Sequence, residues 1–190
     1  YKRQDYNGLA LSNDGTIVAI SSMYNFTIPG HCRIYEWNGN QWNQKGNDIS
    51  GNNAGDQFGS TITINGDGTI VAIAAHLNGT VHFKGGEISL YEWNGNEWSP
   101  KGNKIYGSNS NEQIGLSLSF NNDGTIIAIG GKDNTRIYEW NTSDWQRKGD
   151  IISSIGRSAS INNNGTIVAI GNLFNSSNNF TQNGTCLLYT

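Results

Sequence analysis

The sequence predicts an all-β fold built from four similar antiparallel sheets. Three observations carry the prediction. One phrase recurs four times, as LSNDGTIVAI at 11–20, INGDGTIVAI at 64–73, FNNDGTIIAI at 120–129 and INNNGTIVAI at 161–170. A second, YEWNGNQWNQKGN at 35–47, returns as YEWNGNEWSPKGN at 91–103 and YEWNTSDWQRKGD at 138–150, and these three copies hold all six tryptophans. Helical periodicity is absent. Asn-Gly and Asp-Gly pairs, which supply the positive φ of tight hairpins, separate short runs of β-branched and aromatic residues.

Aligned on Asp14, Asp67, Asp123 and Asn164, the first phrase repeats at spacings of 53, 56 and 41 residues. A period of about 50 residues is that of a blade, a four-stranded sheet repeated around an axis. The second segment shows the four strands in order: STITI at 60–64, TIVAIA at 69–74, ISLYEW at 88–93 and WSPKGNKI at 98–105. In the first strand of each segment large and small residues alternate. Leu9/Leu11, Ile62/Ile64, Leu118/Phe120 and Ala159/Ile161 form one set; Gly8/Ala10, Thr61/Thr63, Ser117/Ser119 and Ser158/Ser160 form the other. Such alternation suits innermost strands crowded where sheets taper together.

The predicted architecture is therefore a four-bladed β-propeller with four-stranded antiparallel blades, a single domain over 1–190 with approximate repeats 6–49, 57–105, 113–152 and 154–190. The fourth segment ends after its third strand, at CLLYT (186–190), while YKRQD (1–5) aligns with WQRKG (145–149). Residues 1–5 are expected to supply the missing outer strand, so that the N-terminal strand closes the ring and protects an otherwise unpaired edge. The alternative is a natural chain that runs on past Thr190, with an accidental match at 1–5.

The tryptophan phrase places Tyr35, Trp37 and Trp42 on one face of a hairpin joining strands three and four. Its first reading is packing of each blade on its neighbour, because three aromatics make a broad apolar slab. Its second is an aromatic platform for sugars at the rim, at Trp42, Trp98 and Trp145.

Composition narrows the function. Charged residues make up 14% of the chain and the formal net charge is −3, so there is no basic surface for nucleic acid. No apolar run approaches the roughly 18 residues of a membrane helix. Neither an initiator Met nor a signal peptide is present, as expected of a mature or excised segment. His31, His76 and His82 read as loop residues between strands two and three, outside any metal-ligand spacing. Asp14, Asp67 and Asp123 recur, but in turns, where Asp caps the backbone. Glu36, Glu92 and Glu139 alternate with strand aromatics instead of facing a shared bond. No catalytic residue, cofactor or metal is expected. Cys32 and Cys186 each lie three residues before an equivalent tyrosine, Tyr35 and Tyr189. A disulfide within or between chains and two free buried thiols are both open to them.

Seven sequons follow the N-x-S/T rule, at Asn25, Asn78, Asn141, Asn164, Asn175, Asn179 and Asn183. With 28 asparagines in the chain, seven is a mild excess, and position says more than number. Asn25, Asn78, Asn175, Asn179 and Asn183 fall between strands two and three, loops that share one face of a propeller; Asn141 and Asn164 fall in tight turns.

GDQFGSTITINGDGTIVAIAA at 55–75 resembles a degenerate FG-GAP repeat, the blade unit of integrin-type propellers, and the S/N-x-D-G-T hairpin resembles the inner turn of WD-type blades. The resemblance covers nearly the whole chain and implies the propeller fold. FG-GAP blades often carry a calcium loop of alternating acids; the loops here, NDG, GDG, NDG and NNG, have one acid or none, so calcium is not implied. The later Trp of the sialidase Asp-box is also missing. The expected function is a non-enzymatic, N-glycosylated module at an extracellular, cell or virion surface. It would associate with itself or other surface proteins as a building block of a fibre or coat. The alternative is a glycan-binding propeller.

Overall fold

The computed structural model describes residues 8–23, 27–153, 156–172 and 185–189, with only the backbone described at 172 and 185–189. Every element is a strand, and the strands form four antiparallel sheets in chain order. The first contains β1 (Leu9–Leu11), β2 (Ile17–Ser22), β3 (His31–Trp37), β4 (Trp42–Gln44) and β5 (Ile49–Ser50). The second contains β6 (Phe58–Ile64), β7 (Ile70–Ala75), β8 (Glu87–Trp93), β9 (Trp98–Pro100) and β10 (Ile105–Tyr106). The third contains β11 (Ser117–Phe120), β12 (Ile126–Gly130), β13 (Asn134–Trp140), β14 (Trp145–Arg147) and β15 (Ile152–Ser153). The fourth contains β16 (Ser158–Ile161), β17 (Val168–Asn172) and β18 (Thr185–Tyr189).

The recurring turn phrase explains why each first hairpin forms. Its glycine, at positions 15, 68, 124 and 165, has φ of 72–73°, which costs a side-chain-bearing residue strain. The preceding acid or amide holds the bend: Asp67 accepts from the Thr69 amide at 3.0 Å and its hydroxyl at 2.6 Å, and Asp123 accepts the same pair from Thr125 at 3.1 and 2.7 Å. Two residues earlier, the side-chain oxygens of Ser12, Asn65, Asn121 and Asn162 accept from the amides of Ile17, Ile70, Ile126 and Ile167 at 2.8–2.9 Å. Both expected jobs of the phrase, turning and capping, are carried by named bonds.

Two details differ from the sequence reading. The outer strand is not continuous: β4, β9 and β14 break off, and β5, β10 and β15 resume pairing on the same partner strand. The break falls at Lys-Gly, where Gly46, Gly102 and Gly149 take φ of 75–80°. His31 is the first residue of β3, not a loop residue, while His76 and His82 do lie between β7 and β8.

Successive sheets pack face to face, the front of one on the back of the next, in three junctions. Ile17, Ala19, Cys32 and Ile34 on the front of the first sheet pack with Ile62, Ile64, Val71 and Ile73 on the back of the second. Ile70, Ala72, Ile88 and Leu90 pack likewise on Leu118, Phe120, Ile127 and Ile129. Ile126 and Ala128 pack on Ala159, Ile161, Val168 and Ile170. The large residues of the first strands of the second, third and fourth sheets therefore face backward into a junction. A backbone ladder ties the turns together: Asn13 N–H donates to Gly66 C=O at 2.8 Å, Gly66 to Asn122 at 2.8 Å and Asn122 to Asn163 at 2.9 Å. The four sheets are not joined edge to edge by hydrogen bonds.

Hydrogen bonds to Ser12 and Thr16 hold the Asp14 carboxyl below its ordinary pKa, and those to Thr125 do the same for Asp123. A carboxylate whose pKa is lowered by folding contributes stability that is present above its unfolded pKa, about 4, and is lost as pH falls below it. The melting temperature should therefore hold between about pH 7 and 5 and drop below about pH 4. Asp123→Asn, which keeps an oxygen acceptor as Asn164 does, should show a shallower acid drop in thermal melts. An unchanged acid profile would remove the carboxylate from the account.

Candidate functional site

The second recurring phrase builds a clasp between sheets. Within each copy the two tryptophans pair across the hairpin with ring centroids 5.5 Å apart: Trp37 with Trp42, Trp93 with Trp98, Trp140 with Trp145. All three pairs lie on the back face, because Trp37, Trp93 and Trp140 pair directly with Trp42, Trp98 and Trp145 in line with Tyr35, Tyr91 and Tyr138. The second and third pairs meet the Lys-Gly break of the preceding sheet. Trp98 Nε1–H donates to Lys45 C=O at 2.8 Å, and Trp145 Nε1–H to Lys101 C=O at 2.9 Å. Lys45 Nζ lies 4.9 Å from the Trp93 ring centroid, and Lys101 Nζ 4.3 Å from that of Trp140. The same ammonium groups bond Glu36 and Glu92 of their own sheets at 3.0 Å. A side chain on Gly46 or Gly102 would strike these tryptophans, so glycine there serves both the backbone bend and the ring's close approach.

The clasp has two open ends. On the first sheet Trp37 and Trp42 are 40% and 44% exposed, whereas Trp145 is 5% exposed. On the third, Lys148 pairs with Glu139 at 2.8 Å and remains half exposed, and Gly149 has nothing against it within 4 Å. A recess of about 550 Å³ opens there, lined by Ile137, Lys148, Gly149 and Ile152. Of the aromatics considered as a sugar platform, Trp42 is exposed, Trp98 is half-buried and lines a recess with Tyr91 and Asp48, and Trp145 is buried between sheets.

The sequons are distributed unevenly. Asn25, Asn175, Asn179 and Asn183 lie outside the described residues. Asn141 and Asn164 are exposed at turn tips. Asn78 is buried, its Nδ2 donating to Asp56 at 2.8 Å and its Oδ1 accepting from the Thr80 amide at 2.9 Å. A glycan on that nitrogen would break the bond to Asp56 and displace the loop, so the folded chain opposes the expected modification at Asn78. Cys32 is a free thiol, fully buried in the first junction, and burial pushes its pKa up to about 12. A disulfide from Cys32 would need that junction opened. Cys186 pairs with Gly171 as Cys32 pairs with Ser21, an equivalent position as expected; its side chain lies outside the description.

Sequence reasoning missed two buried carboxylates. Glu87 accepts from Lys104 at 2.6 Å and Ser89 at 2.9 Å. Glu112 accepts from the Ser108 and Asn109 amides at 2.6 and 3.1 Å and from Asn134 at 2.7 Å, and forms an ion pair with buried Arg136. Glu87 has no acidic counterpart in the other segments, and Glu112 repeats only once, as Asp56 of DQFG (56–59) against EQIG (112–115), a signal the four-fold phrases overshadow. Their oxygens are occupied by structural donors, as buried charges require. Burial lowers the pKa of His76. Among the described residues no group of His, Cys, Asp and Glu is placed to hold a metal ion.

The clasp predicts a contrast between chemically equivalent tryptophans. Trp145→Ala should cost about 3–5 kcal/mol by cavity formation. Trp42→Ala, half exposed and without a lysine clasp, should cost no more than about 1 kcal/mol. Urea unfolding of the two variants gives the comparison, and equal losses would contradict the clasp.

No family profile matches the chain, and no curated relative does. Similar solved structures include a protein assigned by name as a 6-phosphogluconolactonase from Bacteroides uniformis (TM-score 0.59, 11% identity, 85% of this chain and 46% of that one). Hydrazine synthase of Kuenenia stuttgartiensis is another (TM-score 0.63, 11% identity, 96% of this chain and 58% of that one). The chain spans about half the length of each. At that identity the likeness is one of fold: the chain is a repeated antiparallel-sheet all-β protein that shares its architecture with larger chains.

Proposed function

We propose that the four sheets are consecutive blades of a β-propeller and that the chain is a non-enzymatic interaction module, N-glycosylated and displayed at an extracellular, cell or virion surface as a building block of a larger assembly. One observation carries this reading. The recurring side chains of the repeat, the turn Asp and Thr and the inserted Trp and Lys, make bonds that hold turns or join sheets. The repeated part of the sequence thus encodes packing, and chemistry specific to one substrate has no repeated address in it. The neighbour assigned as 6-phosphogluconolactonase bears an enzyme's name, but 11% identity brings the fold and not the reaction to this chain. Closure of the ring at four blades by residues 1–5 concerns residues outside the described ones; the exposure of Leu9 and Leu11, 65% and 55%, favours a ring that admits further sheets.

A second reading, glycan binding at the rim, is favoured by the exposed Trp37–Trp42 pair alone. Tryptophan fluorescence titration against a glycan panel, with Trp42→Ala as control, decides it: a saturable change lost in the variant supports glycan binding, and none eliminates it.

Peptide mapping of native material with and without glycan removal tests the surface reading. Glycan is expected at Asn141 or in the sequon loops at 25 and 175–183, and not at buried Asn78. Unmodified asparagine at every sequon would overturn the glycosylated-surface assignment.

A further inference from the structure

Among the described residues no sheet covers the back face of the first sheet, which has the make-up of a junction surface. Leu9 pairs with Ile20 and Leu11 with Val18, which places all four on this face beside Tyr35, Trp37 and Trp42. Leu9 is 65%, Leu11 55% and Ile20 38% exposed, with Val18 buried among them, whereas the equivalent Ile62, Ile64 and Ile73 are all buried. The turn repeats the pattern. Gly68 lies against Ile17 of the preceding sheet, Gly124 against Ile70 and Gly165 against Ile126, while Gly15 has nothing within 4 Å.

The matching half of the junction stands at the other end. Each first hairpin carries Ile-x-Ala on its front face: Ile17/Ala19, Ile70/Ala72, Ile126/Ala128 and Ile167/Ala169. The first three pairs are buried in junctions, and Ile167 and Ala169 are only half-buried. The turn ladder is open at the same places. Asn163 C=O accepts from Asn122, but among the described residues no backbone bond leaves Asn163 N–H, and none reaches Asn13 C=O. The fourth sheet thus offers the knob and donor that the first lacks.

From this pairing we infer that a second copy of this chain seats the back face of its first sheet on the front face of the fourth, and that the reciprocal contact closes two copies into a head-to-tail ring. This rests on reading the sheets as propeller blades. Ile167 of one copy lies against Gly15 and Leu11 of the other, and Asn163 N–H donates to Asn13 C=O across the junction. The occupant is a second copy because the two surfaces are the halves of a junction this chain already forms three times. A heterologous contact of this kind closes whenever its rotation divides a full turn, and two four-sheet arcs make about eight blades, within the known range of propellers.

Sedimentation velocity of the purified chain, at about 1–100 µM, reads the outcome directly. The expected species is twice 20.7 kDa. Leu9→Asp/Leu11→Asp breaks only the back face and Ile167→Asp only the front; each alone should weaken association at least about 100-fold, since a charge would be buried unpaired. Mixed together they should recover a dimer through the one junction intact in both partners, a rescue no misfolded variant would give. A wild-type monomer across the range overturns the proposal while leaving the blade reading and the surface assignment standing, because small-angle scattering and glycan mapping test those separately. An open-ended series of heavier species, or a failed rescue between variants with unchanged circular dichroism, overturns it as well.

Discussion

Packing of one sheet's front on the next sheet's back is the interaction on which the rest depends. A short antiparallel sheet with apolar residues on both faces has little stability alone. Ile73 and Ile129 are completely buried because a neighbour covers them, and their counterpart Ile20 is not. The inner part of each junction is apolar and rests on the Ile-x-Ala knob. The outer part combines an aromatic ring, an ammonium group and an indole-to-carbonyl bond, so it also sets orientation. Burying a tryptophan with its N–H satisfied avoids leaving a polar group dry.

Charge is placed to serve the same end. Lys101 is buried beneath Trp140, yet its ammonium reaches Glu92, which is half exposed to water. The stem adds to the apolar contact while the head keeps a partner. Glu112 and Arg136 are both buried beside the loop between the second and third sheets, and removing either would strand the other's charge. That loop is thereby pinned by a buried ion pair.

Much of this architecture was legible because it repeats. Asp67, Gly68 and Thr69 announce a turn by residue type alone, and the alternation of Ile62 and Ile64 with threonines announces which face is covered. The break in the outer strand was hidden because Lys-Gly reads as part of an extended run; Gly149 takes the same positive φ as Gly46 and Gly102 with no tryptophan against it, so the bend is local and the tryptophans of the next sheet use it where they meet it. The burial of Asn78 was hidden likewise, since its capture by Asp56 spans 22 residues and leaves no local trace. Trp42, Trp98 and Trp145 share one local pattern yet are exposed, half-buried and buried in turn, because exposure depends on long-range packing against another sheet.

If junctions hold the molecule, stability must follow the number of covered faces and not the number of strand hydrogen bonds. Amide hydrogen exchange measured residue by residue, with the chain diluted to a monomer, separates the two. Ile70–Ala75 and Ile126–Gly130, covered on both sides, should exchange slowest, and Ile17–Ser22, with the same pairing but with Ile20 exposed on its back face, should exchange faster by at least about tenfold. Equal protection in all three strands would contradict the account.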